Sequence, residues 1–434
     1  MDFKEEYKSK LTDVEGALSF IKDGDTLVTG SGPVEPVAFL SQLHTIADRI
    51  HHITIMNGLM TKSHPFMEDE KYKSVFENHN MFMMGPSRNS QRLGITQFLP
   101  GHLHAAAPRW HAAGHEMDVF IAQATPMDKH GYMRVSTCLI QERYFIDHAK
   151  KIILEINPNL PVVYGDTEVH IHDVDALIEV NTPLPILPRS KVSEIEMAIG
   201  ENVASLVNDG DCIQLGIGSI PDAVANALMT KHDLGVHTEM ITSTMVDLVE
   251  AGVITGKKKN FNKGKIVGVF AMGDQKLYDF IDYNPSILMK RGEWSNDPAI
   301  IAMNDNFVSI NSALSIDLGG QICSESIGSL EYSGPGGQVD TAVGAVNSKG
   351  GRNIIAVSSV KHTKKGPIST INAQLPAGSV VTLNRMDVDY IVTEYGIAPM
   401  KGRTVKERVD NLISIAHPDY REELRKDAQK LYLW

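Results

Sequence analysis

The stretch IKDGDTLVTGSG at 21–32 recurs as VNDGDCIQLGIG at 207–218, with DGD and GxG in register at a shift of 186 residues (207 − 21). Each copy carries a short strand-like run that ends in a glycine turn. Around the first copy, DTLVTGSG (25–32) is followed by the helix-period stretch VAFLSQLHTIADRI (37–50) and a second strand-like run, HHITIM (51–56). That alternation predicts α/β layers built on a mostly parallel sheet.

Outward from the first match the shift stays nearly constant, as a duplication requires. HHITIM lies over GVHTEM (235–240) at 184, pairing Thr54 with Thr238, Met56 with Met240 and Ile55 with Glu239. FMMG (82–85) lies over the end of VFAMG (269–273) at 188. DVFIAQATPMDKHGYM (118–133) lies over FVSINSALSIDLGGQI (307–322) at 189, aligning Ile121 with Ile310, Ala124 with Ala313, Asp128 with Asp317 and Gly131 with Gly320. AKKIILE (149–155) then meets GRNIIAV (351–357) at 202, so the second copy holds about 13 extra residues (202 − 189) within 322–345. HDVDALIEVNTPLP (172–185) resembles MDVDYIVTEYGIAP (386–399), and the proline-rich TPLPILPRSKVSE (182–194) separates the copies. The expected organisation is an internal duplication, two homologous α/β domains with mostly parallel sheets, over 1–188 and 189–434.

Composition fits this reading. A length of 434 residues suits two folded units, and 42% hydrophobic residues supply more than one core. The formal charge of −12 speaks against a general grip on nucleic acid, while leaving room for a small anion held by a few local cations. Cys138, Cys212 and Cys323 are far apart with no CxxC spacing, so neither a disulfide framework nor a thiolate metal site is expected. The start MDFKEEYKSKL has no apolar h-region, and no run of 18 apolar residues follows. The expectation is a cytoplasmic protein with no membrane contact.

Residues that break the repeat are the candidates for chemistry, since the cleft between duplicated halves commonly holds a ligand. Glu239 puts a carboxylate at a strand end, where open α/β sheets bind ligands; the bland alternative is a surface glutamate. In GIGSIPDAV (216–224), Ser219 suits an N-cap, Pro221 the first helical turn and Asp222 the positive helix end. Its exposed N–H groups would suit a phosphate, and its glycines would equally suit tight packing. The pattern is GxGxxP, and no GxxxxGK[ST] occurs, so nicotinamide or Walker-type nucleotide binding is poorly supported. SGPGGQVD (333–340), inside the one-copy insertion, is either an oxyanion-binding loop or a flexible surface loop. The basic runs VKHTKKG (360–366) and GKKKNFNKGK (256–265) are either phosphate contacts or solvated faces. HAAGH (111–115) has i, i+4 histidines with His102 and His104 nearby, but no HExxH and no third ligand at a recognised spacing, so no metal is expected. With no GxSxG elbow, the remaining nucleophile candidate is a carboxylate.

GIGSIPDAV, HTEM (237–240), SGPGGQVD and VTEYGIAPMKGRTVKERVDNLISIAHPDYREEL (392–424) together resemble the acetyl-CoA hydrolase/transferase family, a family I-type CoA-transferase group, over nearly the whole chain. The likeness is greatest to its short-chain branch, typified by 4-hydroxybutyrate CoA-transferase and butyryl-CoA:acetate CoA-transferase. The resemblance implies the CoA-transferase (NagB/RpiA-like) fold and transfer of CoA between short-chain carboxylic acids through a glutamyl-CoA thioester. The alternatives are hydrolysis of acetyl-CoA and transfer of itaconate or succinate type. It implies Glu239 as nucleophile, and Gly216, Ile217, Gly218, Ser219, Ile220, Gly336, Gly337 and Lys361 as CoA contacts. It also implies acyl-CoA as substrate with no permanently bound cofactor, and a homodimer or higher homo-oligomer. After GPGGQVD the chain continues Thr341-Ala342 where the family more usually has an aromatic. Because the nucleophile must be charged, Glu239 is expected not to be deeply desolvated in the free enzyme.

Overall fold

Two parallel sheets organise the chain, and the computed structural model describes residues 3–433. By contacts the molecule divides into one unit of residues 1–187 and 267–295 and a second of residues 188–266 and 296–434. Residues 267–295, which the linear reading puts in the second copy, thus group with the first unit.

In the first unit the strands are β1 (Thr26–Thr29), β2 (Ile53–Asn57), β3 (Phe76–Asn80), β4 (Thr96–Phe98), β5 (Val119–Ala124), β6 (Lys151–Ile156) and β7 (Ala176–Glu179). Their order across the sheet is β4-β3-β2-β1-β5-β6-β7, every pair parallel. Because the chain winds outward from β1 to β4 and then returns to β5 on the other side, the winding direction reverses between β1 and β5. VFIAQA of β5 is buried at all six positions, as expected of a central strand covered on both faces. Leu27, Phe39, Leu40, Ile53, Phe66, Phe76 and Ile153 are among the residues of its core.

The second unit repeats the plan with β8 (Cys212–Leu215), β9 (Gly235–His237), β10 (Phe307–Ser312), β11 (Arg352–Ala356) and β12 (Tyr390–Thr393). Within this unit the order is β9-β8-β10-β11-β12, all parallel, and β13 (Gly396–Pro399) closes an antiparallel hairpin on β12. The reversal falls between β8 and β10. Three helices matter below: α1 (Glu194–Ser205), α2 (Ser219–Ala227) and α3 (Gln338–Asn347). α1 opens with a capping box in which Ser193 and Glu196 satisfy each other's orphan donors.

Strand register refines the repeat. Thr26 faces Thr54 and Cys212 faces Gly235, so Thr54 corresponds to Gly235 (235 − 54 = 181), three residues short of the shift predicted from HHITIM and GVHTEM. Ile55 therefore corresponds to Val236, and counting onward places Gly58, not Ile55, at the position of Glu239. Val119 faces Lys151 and Val308 faces Arg352, so the third crossover shift is 201 (352 − 151), one less than predicted. A one-residue slip exchanges the two faces of a strand, and buried apolar strands offer no alternation to prevent it.

The inserted stretch 322–345 is more ordered than a surface loop. Ile322 and Ala342 belong to the second unit's core, Ser326–Ile327 and Leu330–Glu331 form a small hairpin, and α3 begins at Gln338. Cys138, Cys212 and Cys323 are free and buried. Among the described residues no helix is long and apolar enough to cross a membrane.

Candidate active site

Glu239 lies in the bend between β9 and the short strand Met240–Ile241. One carboxylate oxygen, Oε2, accepts a hydrogen bond of 2.7 Å from the backbone N–H of Gly337. Gly337 is the N-cap of α3, so the carboxylate sits at the positive end of a ten-residue helix. The approach is possible only with glycine: a Cβ on Gly337 would come within 2.3 Å of Glu239 Oε2 and 2.1 Å of Asn296 Nδ2. Gly336 before it has φ +52°, which lets the GPGG turn deliver that N–H.

Asn296 is 1% exposed, and its Nδ2 lies beside the same carboxylate. It helps hold the Glu239 charge but makes no full hydrogen bond among the described residues. A buried donor with unused capacity next to a carboxylate is available to an incoming oxygen.

Burial dominates the electrostatics and pushes the Glu239 carboxyl up to about 7, with Asp340 in the first turn of α3 raising it further. The Gly337 bond and the nearby Asn296 amide oppose the rise without cancelling it. The expectation of a weakly desolvated Glu239 is met in part: the residue keeps some exposure, but burial dominates its electrostatics. The carboxylate is partly withdrawn from water, and near neutral pH it exists in both protonation states.

On the adjacent strand, β8 runs into Gly216, Ile217 and Gly218 and then α2. The helix begins at Ser219, one residue earlier than Ser219 as N-cap would allow. Gly218 is the N-cap, with φ +113° and no side-chain cap, while Ile217 is 49% exposed. Ser219 is engaged elsewhere: burial raises the Glu196 carboxyl, but hydrogen bonds from Ser219 and Ser193 outweigh it and hold the carboxyl below its ordinary value.

Lys361 stands in a cavity whose lining does not include Glu239. It sits on the strand Val360–Thr363, which pairs with Gly366–Ser369, and lines that cavity of about 620 Å³ with Ser326, Ile327, Ser369, Thr370 and Tyr420. Burial pulls its ammonium below the ordinary lysine value. None of Gly216 to Ile220, Glu239, Gly336 or Gly337 lines this cavity. Of the other basic run, Lys259 is buried and donates to the carbonyls of Val236 and Lys265, so it braces β9 from within the protein. The HAAGH histidines pack with aromatic rings, His111 against Tyr144 and His148, His115 against Trp110. No group of three metal-ligating side chains is found among the described residues.

Residues 1–188 match the model of the acetyl-CoA hydrolase/transferase N-terminal domain, and residues 273–428 that of its C-terminal domain. The chain belongs to the acetyl-CoA hydrolase/transferase family. It is 40% identical to the 4-hydroxybutyrate coenzyme A transferase of Clostridium kluyveri, with 100% of both chains covered. It is 35% identical to the butyryl-CoA:acetate CoA-transferase of Anaerostipes caccae over 100% of this chain and 99% of the relative. The structure of RipA from Yersinia pestis matches it with a TM-score of 0.93 at 35% identity, 100% of both chains covered. With such relatives over its full length, this family member is an enzyme of the CoA-transferase class.

Asn296 is the site residue that the sequence did not announce. It stands 57 residues after Glu239 (296 − 239) in GEWSNDPAI, with no glycine turn or repeat partner to mark it. Its candidacy arises only from a three-way approach with Gly337 and Glu239.

Proposed function

We propose that this family member is an acyl-CoA:carboxylate CoA-transferase that moves CoA between short-chain acids of the 4-hydroxybutyrate, butyrate or acetate type, with Glu239 as nucleophile. The observation that carries this reading is the Glu239 carboxylate held by the Gly337 N–H with the unused Asn296 amide beside it.

Ionised Glu239 attacks the thioester carbonyl of an acyl-CoA; the C–S bond breaks, leaving an acyl–glutamyl anhydride and CoA thiolate. The thiolate attacks the glutamyl carbonyl, whose oxygen becomes the oxyanion. Oε2, which accepts from the Gly337 N–H with the Asn296 amide near the same carboxylate, would be that oxygen, and donors of this kind stabilise such charge. Collapse expels the first acid as carboxylate and leaves glutamyl-CoA. A second carboxylate attacks this thioester to give a new anhydride and thiolate, and the thiolate then takes the second acyl group, restoring Glu239. Charge and atoms balance without a redox step.

The CoA arm would run past Gly336 and Gly337 and across the N–H groups of residues 216–220, with Lys361 supplying a cation in its cavity. A homodimer or higher homo-oligomer and a cytoplasmic location complete the proposal, and light scattering of the purified protein tests the assembly. The test of the chemistry is mass spectrometry of the Glu239 peptide after incubation with butyryl-CoA and borohydride trapping. A reduced glutamyl residue is expected; an unmodified peptide under turnover conditions overturns the mechanism.

A further inference from the structure

Below the site, the faces of the two sheets differ in one patch. Val28 pairs with Phe120 in the first unit, and their register equivalents Gln214 and Ser309 pair in the second; Ala122 corresponds to Asn311. Three apolar positions are thus replaced by three polar ones along β8 and β10, next to the winding reversal. Gln214 is 3% exposed and Ser309 is fully buried, so their hydrogen bonds must be made within the protein.

Those bonds converge on the first turn of α3. Gln214 Oε1 accepts from the Ile310 N–H at 3.2 Å and from Asn311 Nδ2 at 3.3 Å. Ser309 Oγ donates to Thr341 Oγ1 at 2.9 Å, and Asn311 Nδ2 approaches the same oxygen at 3.2 Å. Thr341 in turn donates its backbone N–H to the carbonyl of Gly337 at 2.9 Å, and Gln338 Nε2 donates to the carbonyl of Ser312 at 3.1 Å. The helix turn whose cap holds Glu239 is therefore tied to the sheet by directional bonds. Apolar packing is non-directional and would permit small slides of the helix along its axis, whereas directional hydrogen bonds to the sheet fix its height. Catalytic donors must be held within about 0.5 Å, and a displacement of about 1 Å costs on the order of 100-fold in rate.

We propose that Thr341 is a positioning residue that sets the Gly337 N–H against Glu239 through the Ser309, Asn311 and Gln214 network. The proposal rests on Glu239 being the nucleophile.

The test is steady-state kinetics of Thr341→Val, which removes the hydroxyl at nearly constant volume, beside Thr341→Ser, which keeps it, each with a melting curve. Thr341→Val should lower kcat about tenfold and leave KM for butyryl-CoA within about twofold. Because the Gly337 bond opposes the raised Glu239 carboxyl value, a loosened cap should also move the acidic limb of the kcat/KM profile to higher pH. Thr341→Ser should restore both. Wild-type kcat and limb in Thr341→Val overturn the proposal, as does an equal loss in both variants that follows their melting temperatures. Ser309→Ala cuts the same bond from the sheet side and decides by the same criteria if Thr341→Val does not fold. Glu239→Gln run in parallel separates the two readings: retained activity there overturns the nucleophile, while its loss beside a wild-type-like Thr341→Val overturns the network alone.

Discussion

The turn after the first strand has opposite fates in the two units. In the first, the Ser31 N–H donates to Glu142 Oε1 at 2.9 Å, and Glu142 is completely buried. The helical turn that follows is also occupied, because Glu155 Oε1 accepts from the Phe39 N–H at 2.7 Å. Burial raises both carboxyls, Glu155 to about 7, and the backbone donors pull them back. In the second unit Gly218 caps α2 with no side chain, and Ile217 stands out into solvent. Both copies thus build a turn suited to an anion. One fills it with its own carboxylates, and the other has no side-chain cap among the described residues, with Glu239, the proposed nucleophile, just past the end of the neighbouring strand. A glycine turn therefore identifies a structural device, and only its occupancy separates scaffold from site.

The strongest way to break this contrast is Glu239→Gln. It should lower kcat by on the order of 10⁴-fold or more, as loss of a nucleophile does, and abolish the glutamyl adduct. Below neutral pH the wild type should lose kcat/KM as the carboxyl protonates, with an apparent value near the 7 set by burial. Stability should follow the same group. A carboxyl raised from 4.5 to about 7 favours the folded state below 4.5, and that contribution is lost as pH rises through about 7. Glu239→Gln should accordingly gain melting temperature relative to wild type between pH 5 and pH 8, and a constant difference across that range would refute the assignment. Asn296→Ala comes next, with a loss of about 10²–10³-fold in kcat for one oxyanion donor. An unchanged kcat would leave the Gly337 N–H as the sole donor.

Glu142→Ala tests the first unit. It orphans the N–H groups of Ser31 and Gln141, each costing about 1–3 kcal/mol when buried, so melting temperature should fall while KM for acyl-CoA holds. Added formate should restore part of the lost stability by entering the vacated carboxylate position. A variant as stable as wild type would mean that the turn needs no ligand, and the contrast with the second unit would lose its basis.

The parts legible in the sequence were those written locally. DGD and GxG specify a strand bracketed by turns wherever they occur, so the duplication and the α/β class could be read from 21–32 and 207–218. Glu239 and the GPGG loop were legible as breaks in that repeat and through the family resemblance. The register of β6 on β5 was not, because both strands are buried almost throughout and an apolar run fits its neighbour equally well in either phase. Nor was the protonation of Glu239, since Asn296, Gly337 and Asp340, which act on it, come from distant chain segments. The cap of α2 was misplaced by one residue because Ser219 satisfies the rule for a capping side chain, yet its hydroxyl serves Glu196.

The smallest expected effect sharpens the comparison most finely, since it uses the same residue type in both turns. Gly32 has φ +53° and Gly218 φ +113°, and a Cβ added at either would meet no atom within 4 Å. Alanine at either position is therefore penalised by backbone conformation rather than by collision, by about 1–3 kcal/mol. Both variants should melt slightly lower than wild type. If the second turn holds CoA through its N–H groups, only Gly218→Ala should also raise KM for acyl-CoA, by a few-fold, because strain there moves the donors that meet the ligand. Equal KM values in Gly32→Ala and Gly218→Ala, at comparable losses of stability, would place CoA away from the glycine turn and leave Gly336, Gly337 and the Lys361 cavity as its contacts.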